Sequence, residues 1–168
     1  SIDTAAEMAA SGTKWAPWLG ENNSQWDGFV DTYEGAVYCQ YGVYRPTNNS
    51  MMRSLGRPFN QPSAESFIIE FYKIVDIIDD ATPCCYVDGN DTVYVDTLDI
   101  AHAFQITWTI EDEVIDAFQN QLEVDLSEVS LAVGNHVLEV DVVDPTPWVR
   151  DETARSTYMT GHLQWIVQ

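Results

Sequence analysis

The apolar residues of this chain change period once, at Pro83, and that change limits what either side of it can fold into. Upstream, Phe67, Ile68, Phe71, Ile74, Val75 and Ile78 recur at three- and four-residue intervals, which predicts a helix from Ser63 to about Ile78 with one apolar face. Pro62 stands just before that helix, Ser63 is placed to cap its free amides, and Glu65 falls near the positive end of its dipole. Asp79-Asp80 disfavours continuation and Pro83 forbids it, so residues 79–83 read as a linker. Downstream the pattern alternates. Thr92–Val95, Phe104–Ile110, Gln121–Val124, Val137–Val142 and His162–Val167 read as strands, with Phe104, Ile106, Trp108 and Ile110 on one face and Leu138, Val140 and Val142 on another. Turn signals at Asp88-Gly89-Asn90, Glu111-Asp112-Glu113, Gly134-Asn135 and Pro145-Thr146-Pro147 separate them.

Helix first and strands after make the chain α+β, with a module boundary at 83/84 and a small antiparallel, immunoglobulin-like β-sandwich over residues 84–168. Residues 1 to about 60 read as loops with short helices. Asp3-Thr4 can cap a turn through Ala5–Ala10 that Ser11-Gly12 ends. Trp15, Trp18 and Trp26 crowd a turn-rich stretch, either as plugs of a loop-built core or as a binding rim.

Charge excludes some partners. Seven Lys+Arg against 27 Asp+Glu leave a net charge of −20, which repels nucleic acid and anionic membrane surfaces. Such acidity suits a secreted protein of a saline habitat, where salt screens the repulsion. No apolar run approaches the ~20 residues of a membrane-spanning helix. Ser1-Ile2-Asp3-Thr4 has neither an initiator Met nor a signal-peptide pattern, so the chain is expected to begin inside a longer protein or after processing.

Three cysteines leave one unpaired in an oxidising compartment. Cys84 and Cys85 are neighbours, and a bond between them is strained because disulfides span Cα separations of ~4.4–6.8 Å. Cys39 can pair with either, or all three can remain free thiols. Asp88-Gly89-Asn90-Asp91, followed by Asp96 and Asp99, offers clustered carboxylates but fails the calcium-loop spacing and reads as a hairpin tip. No phosphate-cradling glycine loop or nucleophile elbow occurs.

Tyr33-Glu34-Gly35-Ala36, Tyr41-Gly42-Val43-Tyr44-Arg45-Pro46 and Asn49-Ser50-Met51-Met52-Arg53-Ser54-Leu55-Gly56-Arg57-Pro58-Phe59-Asn60 together resemble the bacterial IgA-peptidase family of secreted zinc peptidases. The resemblance is strong over Lys14 to Pro83. It is weaker over Phe104 to Trp165, where Asp144-Pro145-Thr146-Pro147-Trp148-Val149-Arg150 is similar to a turn in the family's β-rich module. It implies that residues 1–83 are the closing part of a metzincin-like catalytic domain, with Met52 in the methionine turn beneath the zinc. Ser54 stands where metzincins often carry a tyrosine that stabilises the transition state, so that role is not carried over.

The catalytic motif itself is absent. A zinc peptidase of this kind needs two histidines one helical turn apart with a glutamate between them, and His102, His136 and His162 have no such context. No catalytic or metal residue is therefore assigned. Zinc is implied for a parent protein and no cofactor for this chain. Glu34, Arg45 and Arg53 read as loop-bracing residues or as cleft contacts to a substrate backbone. Met51-Met52 can equally fill a loop-packed core, and Trp148 is expected to plug the sandwich edge. The implied partners are an N-terminal catalytic part, a protein or peptide substrate of the parent, and a second copy through uncovered apolar surface. The alternative is a non-catalytic extracellular binding or adhesion module on a peptidase-derived scaffold.

Overall fold

The computed structural model describes residues 1–168 as an α+β chain with mostly antiparallel sheets. It forms two compact units. The first is Ser1–Glu70 with Trp148–Asp151, the second Phe71–Pro147 with Glu152–Gln168, so Pro83 lies inside the second.

In the first unit, α1 (Ala5–Ser11) opens with a capping box: the Glu7 amide donates to the Thr4 hydroxyl, and the Thr4 amide to the Glu7 carboxylate at 2.8 Å. Gly12 closes it in the left-handed conformation. Two short antiparallel pairs follow, β1 (Asn22–Asn23) with β2 (Gly28–Phe29), and β3 (Tyr33–Ala36) with β4 (Cys39–Arg45). The expectation of loops and short helices up to residue 60 thus missed a hairpin.

Helix α2 (Gln61–Tyr72) differs from its sequence reading at both ends and on both faces. Asn60 caps it in place of Ser63, accepting the Ser63 amide at 2.9 Å. It buries Gln61, Ala64, Glu65 and Tyr72, while Phe67, Phe71 and, beyond its end, Ile74 are 47%, 66% and 83% exposed. Polar anchoring decides this orientation. The Glu65 carboxylate accepts the Trp18 indole N–H at 2.5 Å and the backbone N–H groups of Arg150 and Asp151 at 2.5 and 3.0 Å. Without such donors, burying the carboxylate would be prohibitive.

The helix stops at Tyr72 because the following residues are claimed by a sheet. Ile78–Ala81 is β5, not a helix end and linker, and it pairs antiparallel with β7 (Thr92–Thr97). Gly161 makes room for this turn of the chain, since a Cβ there would lie 2.6 Å from Ile77 Cγ2 and 2.9 Å from Ile78 Cδ1.

The remaining strands of the second unit are β6 (Tyr86–Val87), β8 (Gln105–Ile110), β9 (Glu113–Val114), β10 (Glu123–Asp125), β11 (His136–Val143) and β12 (Thr160–Val167), with α3 (Glu152–Tyr158) before the last. They form a five-stranded sheet ordered β6-β12-β11-β8-β9 and a three-stranded sheet ordered β10-β7-β5. All pairs are antiparallel except β6 with β12, so the expected wholly antiparallel arrangement is corrected at one edge. Alternation buries Leu138, Val140 and Val142 on β11, and Val140 faces Trp108 in register. Trp108 and Trp165 stack at 6.0 Å. Their indole N–H groups donate to the carbonyls of Gln121 and Thr82 beside the three-stranded sheet, so neither buried ring leaves a donor unmet.

Asp144, 1% exposed, ties four parts of this unit together. One carboxylate oxygen accepts the Tyr72 hydroxyl at 2.7 Å; the other takes the Thr146 amide and lies 2.7 Å from His102 Nε2. Arg155 of α3 donates to the Asp144 and Thr146 carbonyls. Asp144→Ala would strand the Tyr72 hydroxyl and the Thr146 amide and leave His102 without its carboxylate, and we expect it to lower the unfolding free energy by about 3 kcal/mol, read from the urea midpoint. Burial, and then the hydrogen bond to Asp144, raises the Tyr72 phenol well above its ordinary value. An unfolded tyrosine ionises near pH ~10, so this stabilisation is complete below that pH and is lost as pH rises toward the folded value. Thermal melts of Tyr72→Phe should show a shallower alkaline decline than wild type.

Candidate functional site

A cleft of about 830 Å³ opens in the first unit between the β3–β4 hairpin and the chain from Pro46 to Asn60. The hairpin is closed by two residues, Val37 and Tyr38, with Ala36 opposite Cys39. Both turn residues take positive φ, 52° and 60°, the conformation of tight hairpins that Asn-Gly normally supplies. Valine there is a steric outlier, yet both side chains project into solvent at the rim.

Arg45 holds this hairpin to the following loop. Its guanidinium donates to the carbonyls of Glu34 at 2.6 Å, Gly35, and Asn48 at 3.0 Å. Gly35 is required beneath it, with φ of 92° and a position where a Cβ would sit 3.3 Å from the guanidinium. Arg53 donates to the same Asn48 carbonyl at 2.8 Å, which places two cations on one acceptor. Burial, and then the positive charge of Arg53, lowers the Arg45 guanidinium from its ordinary value. The lining contains Trp15, Tyr44, Met52 and these two arginines, and no aspartate or glutamate.

The residues singled out from sequence fall in three places. Arg45, Arg53, Cys39 and Met52 line the cleft, whereas the Glu34 carboxylate turns away and accepts the Gly42 amide at 2.8 Å. Met51 and Met52 are exposed, Met52 by 70%, so neither fills a loop core. Cys39, Cys84 and Cys85 are exposed free thiols, and a hydrogen bond with Cys84 that holds the Cys85 proton in place raises the Cys85 thiol. Trp148 belongs to the first unit rather than to a sandwich edge, 48% exposed with its ring edge-on to Trp26 at 5.5 Å. Asp88 accepts two bonds from Asn90, as a turn tip does.

The histidines do not converge. His102 meets Asp144, His136 lies between the Ala132 carbonyl and Glu111, and His162 faces Asp141 and Glu139 across β11 and β12. No three His, Cys, Asp or Glu side chains are grouped to hold a metal ion, so these residues do not fit a catalytic zinc. No helix is long and apolar enough to cross a membrane.

Fold and cleft together define an α+β protein with a cationic cleft in an otherwise acidic chain. In comparison with known proteins, no family model, no curated protein and no solved structure matches it.

Sequence reasoning missed the hairpin tip, because Val37-Tyr38 carries no turn signal; of the tryptophans it read as core plugs or a binding rim, Trp15 lines the cleft, its indole donating to the Asp31 carbonyl at 3.0 Å, and Trp18 is buried. If the tip is strained, relieving it must stabilise the protein. Val37→Asn with Tyr38→Gly is expected to raise the unfolding free energy by about 1–2 kcal/mol, measured by denaturant titration.

Proposed function

We propose that this chain is the non-catalytic C-terminal portion of a secreted zinc-dependent endopeptidase. The first unit is the metzincin-like closing part of its catalytic domain and the second an immunoglobulin-like module. The supporting observation is the segment that resembles the family: it builds a cleft wall, braced by Arg45, that leaves Val37, Tyr38, Met52 and Leu55 in solvent. Large apolar side chains exposed together are what a wall presents when another part of the polypeptide is meant to face it. In this reading an N-terminal part supplies the His-Glu-x-x-His helix, Met52 stands beneath its zinc, and peptides of a protein substrate enter alongside. In the second unit the exposed Phe71 and Ile74 give a further apolar surface, on which the parent or a second copy of the chain would dock.

An extracellular binding module on a peptidase-derived scaffold is the second reading. It is favoured by the half-exposed Trp148 against Trp26, a polar-edged aromatic pair suited to ligand contact.

Metal analysis and a peptide-cleavage assay separate them. The chain alone should hold no stoichiometric zinc and show no chelator-sensitive cleavage, and fusion to the coding region upstream of Ser1 should supply both. Zinc-dependent cleavage by the chain alone, or an upstream region without the histidine motif, would overturn the first reading.

A further inference from the structure

Arg45 and Arg53 differ from four of the other five basic side chains of this molecule, which pair with carboxylates. Lys14 pairs with Asp3, Arg57 with Asp27 at 2.6 Å, Arg150 with Glu21 at 3.0 Å and Arg155 with Glu152 at 3.3 Å, while Lys73 lies over the Tyr158 ring. In a chain of net charge −20, carboxylates are the commonest available partners. Yet Arg45 and Arg53 bond only carbonyl oxygens, share one of them, and line a cleft without any acid. Two like charges held together without a counterion are stable only because neutral acceptors hold them, and they favour an anion that enters.

We propose that this cleft is a recognition site for the carboxylate of an acidic peptide. Arg53 is the group that grips it. One hydrogen bond, from Nη1 to the Asn48 carbonyl, leaves its other N–H groups for a forked pair with a carboxylate. Arg45, committed to three carbonyls, is the fixed charge behind it. The strained, exposed Val37-Tyr38 tip is the apolar lip, and Trp15 and Tyr44 offer flat walls for the residues flanking the acid. The apolar lining selects the ligand's kind: Trp15, Tyr44 and the Val37-Tyr38 lip give contact to residues beside a carboxylate and none to a bare anion, while the net charge of the chain is screened beyond a Debye length of ~8 Å. A peptide with one acid among apolar residues therefore suits the cleft better than phosphate.

The test uses the full chain and two capped pentapeptides, identical except for a central Glu or Gln between aromatic residues, titrated by calorimetry. The Glu peptide is expected to bind about tenfold more tightly, and high salt and Arg53→Gln should each abolish that ratio, with Arg53→Lys retaining part of it. Equal affinities, no binding of either peptide, or an unchanged ratio in Arg53→Gln would overturn the proposal. Displacement of the Glu peptide by an equal concentration of inorganic phosphate would overturn it too, by assigning the cleft to simple anions. Because the comparison of the two peptides in wild type needs no variant, misfolding of a mutant cannot leave the question open. Neither zinc nor cleavage enters the measurement, so its failure is distinct from failure of the peptidase reading.

Discussion

The carboxylate of Glu65 is the constraint on which the first unit depends. It is buried on the inner face of α2 and takes three N–H donors, one from the Trp18 indole and two from the backbone at Arg150 and Asp151. Those bonds orient the helix and capture a segment from far along the chain in the same stroke. The captured segment reinforces the arrangement, with the Arg150 guanidinium 4.0 Å over the Trp18 ring and Val149 buried. Asp144 plays the matching part in the second unit. In both units an acid, in a protein full of solvated acids, is placed where hydrogen-bond geometry rather than hydrophobicity selects one arrangement.

This explains which features were legible in the sequence. Five of the seven strands after Pro83 were, because half-buried strands write their burial as alternation, and Val140 and Val142 on β11 and Ile106 and Trp108 on β8 face inward as their spacing requires, whereas β6 and β9, two residues each, are too short to show a period. The inner face of α2 was not. Its apolar periodicity at Phe67, Phe71 and Ile74 points to solvent, while the buried face is marked by Gln61, Ala64 and Glu65, which no hydrophobic pattern reveals. The β5 strand was likewise hidden, since Ile78–Ala81 becomes a strand only through pairing with β7 and through the open space at Gly161. Of the site, Arg45 and Arg53 were legible as scarce cations; their lack of acidic partners is a property of three dimensions.

Six residues other than glycine take positive φ, and four of them, Lys14, Glu111, Asp112 and Asn120, are polar, Glu111 and Asp112 at an ordinary hairpin tip. Val37 and Tyr38 take the same conformation with bulky side chains, beside two adjacent like charges and a glycine that both its positive φ and its guanidinium neighbour make necessary. Sequences fold well when local and global preferences agree, and departures gather where something other than stability has shaped the chain.

The excursion of Trp148–Asp151 into the first unit has an evolutionary corollary. A module joined to its neighbour by a single linker can be duplicated, lost or exchanged by one recombination event. Here the polypeptide passes from one unit to the other at Glu70, at Pro147 and at Asp151, so no single break point separates two complete inheritable parts. A break after Pro147 would take from Glu65 two of its three donors, and one before Phe71 would leave the same four residues attached to the wrong half. A single recombination that moved either unit intact would have to carry the other with it, and a substitution in the Trp148–Asp151 segment acts on the stability of the first unit although its neighbours in sequence belong to the second.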